Sequence, residues 1–248
     1  MKSIVLQDGA WLISDAHYAH YRTDLYRFLS SLSPSDLPPQ IILMGDIFDL
    51  LFGNAKNSIE INLEMVDLLK EISLSCEVVY LEGNHDFGLR EIFDERIHVV
   101  ARRDQPLMAH FDSKSIALHH GDCMQGIGYE IYTAMIRNRW INRLLNTVDT
   151  VSGGAIIAWL ESYNRSKELC RYIENFEKKM KTRLKKLLVR YDFDIWVEGH
   201  YHQNIQFNDR DIGYVNLPAF ACDGAFVVAC ASKEGIDFKQ KRINNVIV

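Results

Sequence analysis

The sequence predicts an α/β fold that carries an inserted helical segment, and three observations support this prediction. Short runs of β-branched and other apolar residues alternate with helix-like stretches over the first 122 residues. Residues 123–192 instead show long stretches with helical periodicity, and strand-like runs return after position 190. Alternating strands and helices are typical of an α/β core. We therefore assign residues 1–122 and 193–248 to a core and residues 123–192 to a helical insertion.

The strands of the core are predicted from short apolar runs of the length that buried strands have. They are WLIS (11–14), IILM (41–44), VVYL (78–81), HVV (98–100) and IALH (116–119). Between the second and third of these runs, residues 58–73 repeat apolar side chains at helical spacing, which predicts a helix. After the insertion, the runs DIWVEG, GYVNL and AFVVACA predict a β-rich meander without long helices.

The insertion contains two kinds of predicted helix. Residues 161–190 place their apolar side chains on one face, as an amphipathic surface helix does. Residues 130–149 spread apolar side chains around nearly the whole circumference, so this helix must contact apolar material on more than one side. Residues 129–190 also hold 13 basic and 6 acidic side chains, in a chain with a formal charge of −5. The insertion is therefore basic and the core acidic.

Composition excludes several classes of protein. A hydrophobic content of 48% with only 5 Pro and 14 Gly excludes a disordered or collagen-like chain. The five cysteines show no C-x-x-C spacing, so we expect reduced thiols in a cytoplasmic protein. The longest apolar stretches, at 153–160 and 225–231, are far shorter than a membrane span, and the N-terminus lacks a secretory signal pattern, so we expect a soluble protein.

Polar motifs follow five of the predicted strands. In chain order they are Asp15-Ala-His17, Gly45-Asp46-Ile47-Phe48-Asp49, Gly83-Asn84-His85-Asp86, His119-His120-Gly121-Asp122 and Gly199-His200-Tyr201-His202. Ligands bind beyond the carboxyl ends of the strands in α/β sheets, so these motifs can converge on one site. Carboxylate, amide and imidazole ligands around a shared carboxylate are what a pair of divalent ions requires. The sequence therefore predicts a dinuclear metal centre.

The order of these five motifs resembles that of the calcineurin-like metallophosphoesterases, over residues 11–202. The resemblance implies a two-sheet β-sandwich flanked by helices. It also implies that Asp15, His17 and His202 hold one metal ion, that Asn84, His120 and His200 hold the other, and that Asp46 bridges them. His85 would contact the phosphoryl oxygens and donate a proton, with Asp49 orienting its imidazole. A ligand set without thiolate favours manganese, with iron or zinc as alternatives.

The position of the insertion is similar to that in the bacterial UDP-2,3-diacylglucosamine pyrophosphohydrolases of lipid A biosynthesis. In that family the inserted helices form a cap over the acyl chains, and the reaction releases UMP and 2,3-diacylglucosamine 1-phosphate. The resemblance implies a nucleotide-linked glycolipid as substrate, with Arg165, Ser166 and Lys167 as a cap segment that contacts it. Arg137 and Arg139 add positive charge beside the apolar helix, which suits a ligand with phosphates and apolar tails. The basic insertion also suits peripheral contact with the cytoplasmic face of the inner membrane.

Three other functions stay open at the level of sequence. The enzyme could be a phosphodiesterase or phosphatase that acts on soluble nucleotides or phosphoproteins. It could be a nuclease, although the acidic core argues against nucleic acid as a partner. The fold could also serve as a non-catalytic scaffold, but the full set of predicted ligands argues for catalysis.

Overall fold

Two six-stranded sheets form the framework of the protein in the computed structural model, which describes residues 3–233 and 235–245. The strands in these residues are β1 (Ile4–Val5), β2 (Trp11–Ile13), β3 (Gln40–Leu43), β4 (Leu51–Phe52), β5 (Glu77–Leu81), β6 (Asp86–Phe87), β7 (Ile97–Val100), β8 (Leu107–Phe111), β9 (Lys114–His119), β10 (Ile195–Glu198), β11 (Ile205–Asp209), β12 (Ile212–Asn216), β13 (Ala225–Ser232) and β14 (Gly235–Arg242).

Strand order places the chemically important strand ends together. The first sheet has the order β1-β8-β9-β10-β12-β11 and the second has the order β14-β13-β2-β3-β5-β7, while β4 and β6 form a separate pair. In the first sheet β9, β10 and β12 are parallel, and in the second β2, β3, β5 and β7 are parallel. Parallel neighbours end at the same edge of their sheet, so each sheet presents one edge of carboxyl ends.

Helices cover the outer face of each sheet. The helices of the described residues are α1 (Asp24–Ser30), α2 (Lys56–Glu60), α3 (Leu63–Ile72), α4 (Ile127–Ile136), α5 (Arg139–Val151), α6 (Ala155–Arg165), α7 (Phe176–Leu187) and α8 (Phe220–Asp223). Helices α1 and α3 cover the second sheet, where Phe28 and Leu69 pack in one apolar cluster with Ile41. Helix α7 covers the first sheet through Met180 and Leu184, which pack with Trp196.

The main core lies between the two sheets. It joins residues from the second sheet, such as Leu12 and Val79, to residues from the first, such as Ile116 and Val197, all of which are buried. Burying apolar side chains on both faces of each sheet explains why the strands appear as continuous apolar runs in the sequence. The architecture is the predicted α/β fold, a two-sheet sandwich flanked by helices.

The five predicted core strands are confirmed, whereas the helix boundaries were less accurate. The helix predicted over 58–73 is divided into α2 and α3, because the Asn62 side chain turns back to the carbonyls of Leu50 and Ser58. The stretch 130–149 is divided into α4 and α5, because Asn138 caps the backbone amides at the start of α5. The prediction of one helix over 161–190 was wrong, since α6 ends at Arg165 and α7 begins at Phe176. The predicted meander is also divided, because β11 and β12 join one sheet and β13 and β14 join the other.

The expectation that all cysteines are reduced thiols was wrong. Cys170, between α6 and α7, forms a disulfide with Cys222 in α8, across a sequence separation of 52 residues. Their Cα atoms lie 5.9 Å apart, which is a normal separation for a disulfide. The spacing of cysteines gives no signal for this pair, because the turn after α6 brings them together only in the folded chain. Among the described helices, none has the length and apolarity that a membrane span needs.

The disulfide leads to a prediction about stability. A bridge over 52 residues restricts the unfolded chain, so we expect Cys170→Ser or Cys222→Ser to lower the free energy of unfolding by about 2–4 kcal/mol. Urea denaturation of the oxidised protein and of both variants measures the difference. Cys230→Ser, which removes a free thiol, is the matched control and should retain the wild-type midpoint. Equal midpoints for the oxidised protein and the Cys170 and Cys222 variants would contradict the bridge.

Candidate metal centre

The polar motifs meet where the two sheets present their carboxyl ends. Asp15 and His17 follow β2, Asp46 follows β3, and Asn84 follows β5 in the second sheet. His120 follows β9, and His200 and His202 follow β10 in the first sheet. Potential ligand atoms of Asp15, His17 and His202 lie within 4.8 Å of one another, and so do those of Asp46, His120 and His200. The structure therefore brings the predicted ligands into two adjacent clusters.

The first cluster contains Asp15, His17 and His202. Asp15 is fully buried, and its Oδ1 lies 3.0 Å from Nε2 of His202. Nδ1 of His202 donates to the main-chain oxygen of Leu169 at 2.5 Å, and Nδ1 of His17 donates to Oδ1 of Asp49 at 3.3 Å. Because both Nδ1 atoms donate elsewhere, both rings present Nε2 to the cluster. In metal sites, a hydrogen bond from the ring nitrogen that does not bind the metal orients the histidine in this way.

The second cluster contains Asp46, His120, His200 and, beside them, Asn84. Nδ1 of His120 donates to the main-chain oxygen of Met44 at 2.9 Å, which leaves Nε2 facing the cluster. This Nε2 lies 3.2 Å from Oδ1 of Asn84 and 3.4 Å from Oδ2 of Asp46. The other oxygen of Asp46 accepts from the backbone amide of His85 at 2.8 Å. Asn84 and Asp46 thus offer oxygen atoms on the same side as the imidazole nitrogen.

The backbone at the ligands is in an unusual conformation. Five ligand candidates adopt positive φ angles near 50–60°: Asp15 (52°), His17 (45°), Asp46 (52°), His200 (63°) and His202 (59°). Such angles are uncommon for residues with a side chain, and they concentrate at functional sites. Two glycines allow the strands to approach closely, since a Cβ atom at Gly83 would collide with the Asp46 carboxylate and one at Gly45 would collide with the His120 ring. The site is therefore strained and tightly packed.

Burial and charge determine which candidates are ionised. Burial acts to raise the pKa of Asp46, but the neighbouring imidazoles of His120 and His85 outweigh it and hold the pKa well below its usual range. Burial acts to lower the pKa of His202, but the carboxylate of Asp15 outweighs it and raises the pKa to about 9. Burial lowers the pKa of His200 to about 4 and also lowers that of His17. The site therefore combines ionised carboxylates with two imidazoles that are neutral at pH 7.

The residues fit a pair of divalent cations. Nε2 of His17 is buried and lacks a hydrogen-bond partner in the part of the chain that the structure describes, and Oδ1 of Asp15 has only the Nε2 of His202 beside it. A buried polar atom without a partner is costly, whereas a metal ion would satisfy both atoms. The donors are carboxylate, amide and imidazole, which suits hard and borderline divalent ions.

Asp49 makes different contacts from those expected. The family resemblance implies that its side chain orients His85, but Oδ1 of Asp49 lies 4.0 Å from Nδ1 of His85. The carboxylate instead accepts from His17 and from the hydroxyl of Tyr21, which lies 2.7 Å away. The main-chain oxygen of Asp49 accepts from Nδ1 of His85 at 2.8 Å. Asp49 thus contacts both histidines, His17 through its side chain and His85 through its backbone.

Asp86, the last residue of the Gly-Asn-His-Asp motif, is a further residue that shapes the site, although neither the motif nor the family resemblance assigns it a function. Its buried carboxylate accepts from the backbone amides of Asp46, Ile47, Phe48 and Gly83 at 2.7–3.2 Å and from the hydroxyl of Tyr80 at 2.7 Å. It therefore connects the loop that carries Asp46 to the loop that carries Asn84. The signal in the sequence was the carboxylate at the end of the Gly-Asn-His-Asp motif.

The predicted cap residues lie at different depths. Nη2 of Arg137 donates to the main-chain oxygen of Gly83 at 2.6 Å, directly before Asn84. Arg165, Ser166 and Lys167 are exposed at the end of α6. The guanidinium of Arg165 lies 5.3 Å from the ring of Tyr21, whose hydroxyl bonds Asp49. The side chain of Arg139 lies outside the described residues.

One residue beside the site was missed, because its contact joins helix α6 to the loops of the core. Asn164, on α6, is 5% exposed and lies 3.3 Å from Nδ1 of His85 through its Nδ2. In the sequence it lies 79 positions from His85, so no local pattern could have indicated the contact.

Comparison with known proteins agrees with the motif order. The family model described as calcineurin-like phosphoesterase matches residues 10–204. UDP-2,3-diacylglucosamine hydrolase from Salmonella schwarzengrund strain CVM19633 is 20% identical over 194 residues, which cover 75% of this chain and 80% of that protein. The protein of the same name from Haemophilus ducreyi is 23% identical over 138 residues, covering 54% of this chain and 58% of that protein. Among solved structures, Vps29 from Cryptosporidium parvum aligns with 94% of this chain and 96% of its own, with a TM-score of 0.44 and 13% identity.

The charge state of the first cluster predicts how metal binding depends on pH. His202 has a pKa of about 9, so at pH 7 it carries a proton in metal-free protein, and a cation that binds its Nε2 must displace that proton. We expect Mn²⁺ affinity to increase as pH rises toward about 9 and calorimetry at pH 7 in buffers of different ionisation enthalpy to show proton release. His98→Ala, which changes an exposed histidine outside the site, should behave as wild type. An affinity that stays constant with pH and no buffer dependence would contradict the assignment.

Proposed function

This chain belongs to the calcineurin-like phosphoesterase family, and we propose that it hydrolyses the pyrophosphate of UDP-2,3-diacylglucosamine to UMP and 2,3-diacylglucosamine 1-phosphate. The two metal ions, which we propose to be manganese, would be held by Asp15, His17 and His202 on one side and by Asn84, His120 and His200 on the other, with Asp46 between them. Residues 123–192 would be the insertion, and helices α4 to α6, hereafter the cap helices, would cover the site.

The observation that carries the proposal is an apolar cavity between the cap helices and the metal edge. Its volume is about 420 Å³. Apolar side chains from all three cap helices line it, including Ile136 of α4, Leu145 of α5 and Leu160 of α6, and its floor includes Asn84 and His85. A cavity of this kind is suited to an apolar ligand portion. A soluble nucleotide or phosphoprotein would leave this surface unused, whereas an acyl chain would fill it beside the reacting phosphorus.

Arg137 supports the binding of a phosphate beside this cavity, next to Phe87, which lines it. Its guanidinium lies 4.9 Å from the ring of Phe87, and its Nε and Nη1 atoms are buried without a hydrogen-bond partner among the described residues. Two buried guanidinium donors without a partner could bind an anion beside Asn84, and phosphate geometry matches the guanidinium fork. We assign the sugar phosphate to Arg137, with Arg139 as a further basic residue in the cap.

Lys167 and Arg165 would contribute positive charge at the solvent-exposed end of the cavity. Lys167 lines the cavity, and its Nζ lies 4.6 Å from the ring of Tyr163. Arg165 lies over Tyr21, next to the first metal cluster through Asp49. Ser166 follows between them, and its hydroxyl donates to the main-chain oxygen of Tyr163 at 2.7 Å. We propose that this segment contacts the polar part of the substrate.

The mechanism assigns each group of residues a separate task. When bound, two divalent ions supply an activated water for in-line attack and neutralise charge on the phosphoryl oxygens. Asp46 accepts a hydrogen bond from the backbone amide of His85, and this bond keeps His85 beside the metal edge. Nδ1 of His85 donates to the Asp49 carbonyl, so Nε2 is the ring nitrogen left to contact a phosphoryl oxygen and to donate a proton to the leaving group.

We further propose that the protein contacts the cytoplasmic face of the inner membrane through the outer surface of the cap helices. Large apolar side chains are exposed there, among them Trp140 (76%), Leu144 (66%) and Val151 (84%). The guanidinium of Arg143 lies 5.5 Å from the ring of Trp140, so positive charge accompanies this apolar surface. Apolar and basic side chains together favour an anionic lipid surface.

Activity against a substrate panel tests the proposal. Manganese-loaded protein should hydrolyse UDP-2,3-diacylglucosamine much faster than three kinds of soluble substrate. These are UDP-glucose, which has no acyl chains, small phosphodiesters and phosphopeptides. Turnover of the soluble esters alone would reject the lipid substrate while retaining a phosphoesterase.

Variants at the metal edge separate metal binding from catalysis. We expect Asp46→Ala to abolish activity, because the proposed bridging oxygens are lost. We expect His85→Ala to lower kcat by about 10²–10⁴-fold with unchanged metal content, because only a proton donor is lost. Metal analysis beside kinetics checks both. Loss of metal from His85→Ala would show that the function assigned to His85 is wrong.

The cap segment predicts an effect that depends on substrate size. We expect Arg165→Ala or Lys167→Ala to raise KM for the lipid substrate by about tenfold, as the loss of a charged contact would, and to leave KM for bis(4-nitrophenyl) phosphate nearly unchanged. Lys179→Ala, on the exposed surface of α7, is the matched control. Equal effects on both substrates would contradict contact between this segment and the substrate.

A further inference from the structure

Asn164 is a buried polar residue of the cap that reaches the catalytic edge of the core. It lies on α6, one residue before Arg165, and only 5% of it is exposed. Its Nδ2 donates to the main-chain oxygen of Asp49 at 3.2 Å and lies 3.3 Å from Nδ1 of His85. A buried amide is costly unless it is hydrogen-bonded, so docking of α6 at this position depends on the Asp49 carbonyl.

Asn164 and His85 share one acceptor. Nδ1 of His85 donates to the same Asp49 oxygen at 2.8 Å. A carbonyl oxygen has two lone pairs, so it can accept both donors. Nδ1 and Nδ2 are then both donors and cannot bond each other, and the amide occupies the space beside the imidazole. The shared acceptor holds the ring on one side and the cap helix on the other.

The rest of the His85 surroundings leaves the ring dependent on this contact. Its backbone amide is held by Asp46, but the hydrogen bonds of the described residues include none to Nε2. The carboxylate of Asp49 is taken by His17 and Tyr21, so it does not hold the ring. The orientation of the imidazole is therefore determined by the Asp49 carbonyl, by Asn164 beside Nδ1 and by the ring of His17, whose centroid lies 4.9 Å away.

We propose that Asn164 is a positioning residue that keeps Nδ1–H of His85 on the Asp49 carbonyl and Nε2–H of the doubly protonated ring directed at the leaving group, so that His85 is correctly oriented only when α6 is docked. This inference rests on the proposed function, because it assumes that His85 acts on the substrate. Cap docking and proton donation would then be coupled through one carbonyl oxygen. A cap residue far from the metal ligands in sequence would control a residue of the core.

The chain provides a matched control for the loss of a cap-to-core hydrogen bond. Nδ2 of Asn57, in α2, donates to Oδ2 of Asp149 in α5 at 2.8 Å. The other oxygen of Asp149 accepts from the backbone amides of Ile156 and Ile157 at the start of α6. Asn57→Ala thus removes an asparagine contact that docks the cap, without touching His85.

A double-mutant cycle tests the inference with the manganese-loaded protein and diphenyl phosphate, a small ester that does not require a lipid-binding cap and whose phenolate leaving group, unlike nitrophenolate, is basic enough to need a proton. We expect Asn164→Ala to lower kcat by about tenfold with KM and Mn²⁺ affinity changed by less than about twofold. In the His85→Ala background, the same change should lower kcat by less than about twofold, because the residue that it positions is absent. Asn164→Leu, which keeps the branched shape of the side chain but removes the amide, should reproduce Asn164→Ala. Asn57→Ala should retain kcat within about twofold while lowering the melting temperature.

Each other outcome is decisive. An equal loss of kcat in the two backgrounds, or an equal loss in Asn57→Ala, would show that Asn164 acts only on cap stability and would overturn the inference. Unchanged kcat in Asn164→Ala and Asn164→Leu beside a large loss in His85→Ala would overturn the inference alone. Unchanged kcat in His85→Ala would overturn the proposed function of His85 together with the inference.

Discussion

The carboxylate of Asp86 is the contact on which the metal edge of the second sheet depends. It accepts four backbone amides, three from the loop after β3 and one from the loop after β5, and also the Tyr80 hydroxyl. Burial and the charge of Asp46 raise the pKa of Asp86 to about 7, but five donors converge on its two oxygens, and together these hydrogen bonds can hold a backbone in an uncommon conformation. Asp46 has a φ of 52°, and Gly83 approaches its carboxylate too closely for any Cβ atom. The oxygens of Asp46 and Asn84 therefore lie side by side because Asp86 connects their loops.

A second buried carboxylate joins this edge to the other sheet. Oδ2 of Asp15, after β2, accepts the backbone amide of His200, after β10, at 2.9 Å. Behind it, Glu198 is fully buried and accepts from Arg183 of α7, from Trp196 and from Tyr214. Nη2 of Arg183 also donates to the main-chain oxygen of Gly121, next to His120. Helix α7 is thus packed on the first sheet and connected to the loops that carry three of the histidines.

The sequence predicted the core strands and the ligand motifs well because both are local. A buried parallel strand is a short apolar run, and the residues after it are identified by position alone, so Asp15, Asp46, Asn84, His120 and His200 could all be found. The contacts that depend on tertiary structure could not. The Cys170–Cys222 bridge and the contact between Asn164 and His85 join residues 52 and 79 positions apart. The break between α6 and α7 could not be predicted, because the apolar periodicity of the sequence continues through it. In the fold, the main-chain oxygen of Leu169 in this break accepts a hydrogen bond from His202, a contact that is not visible in the sequence.

The central claim is that these strand ends form one dinuclear centre around Asp46. Anomalous diffraction at the manganese edge, from crystals of the Mn²⁺-loaded protein, tests it most directly. We expect two peaks about 3.5–4 Å apart on either side of the Asp46 carboxylate, one against Asp15, His17 and His202 and the other against Asn84, His120 and His200. A single peak, or peaks that do not contact Asp46, would contradict it.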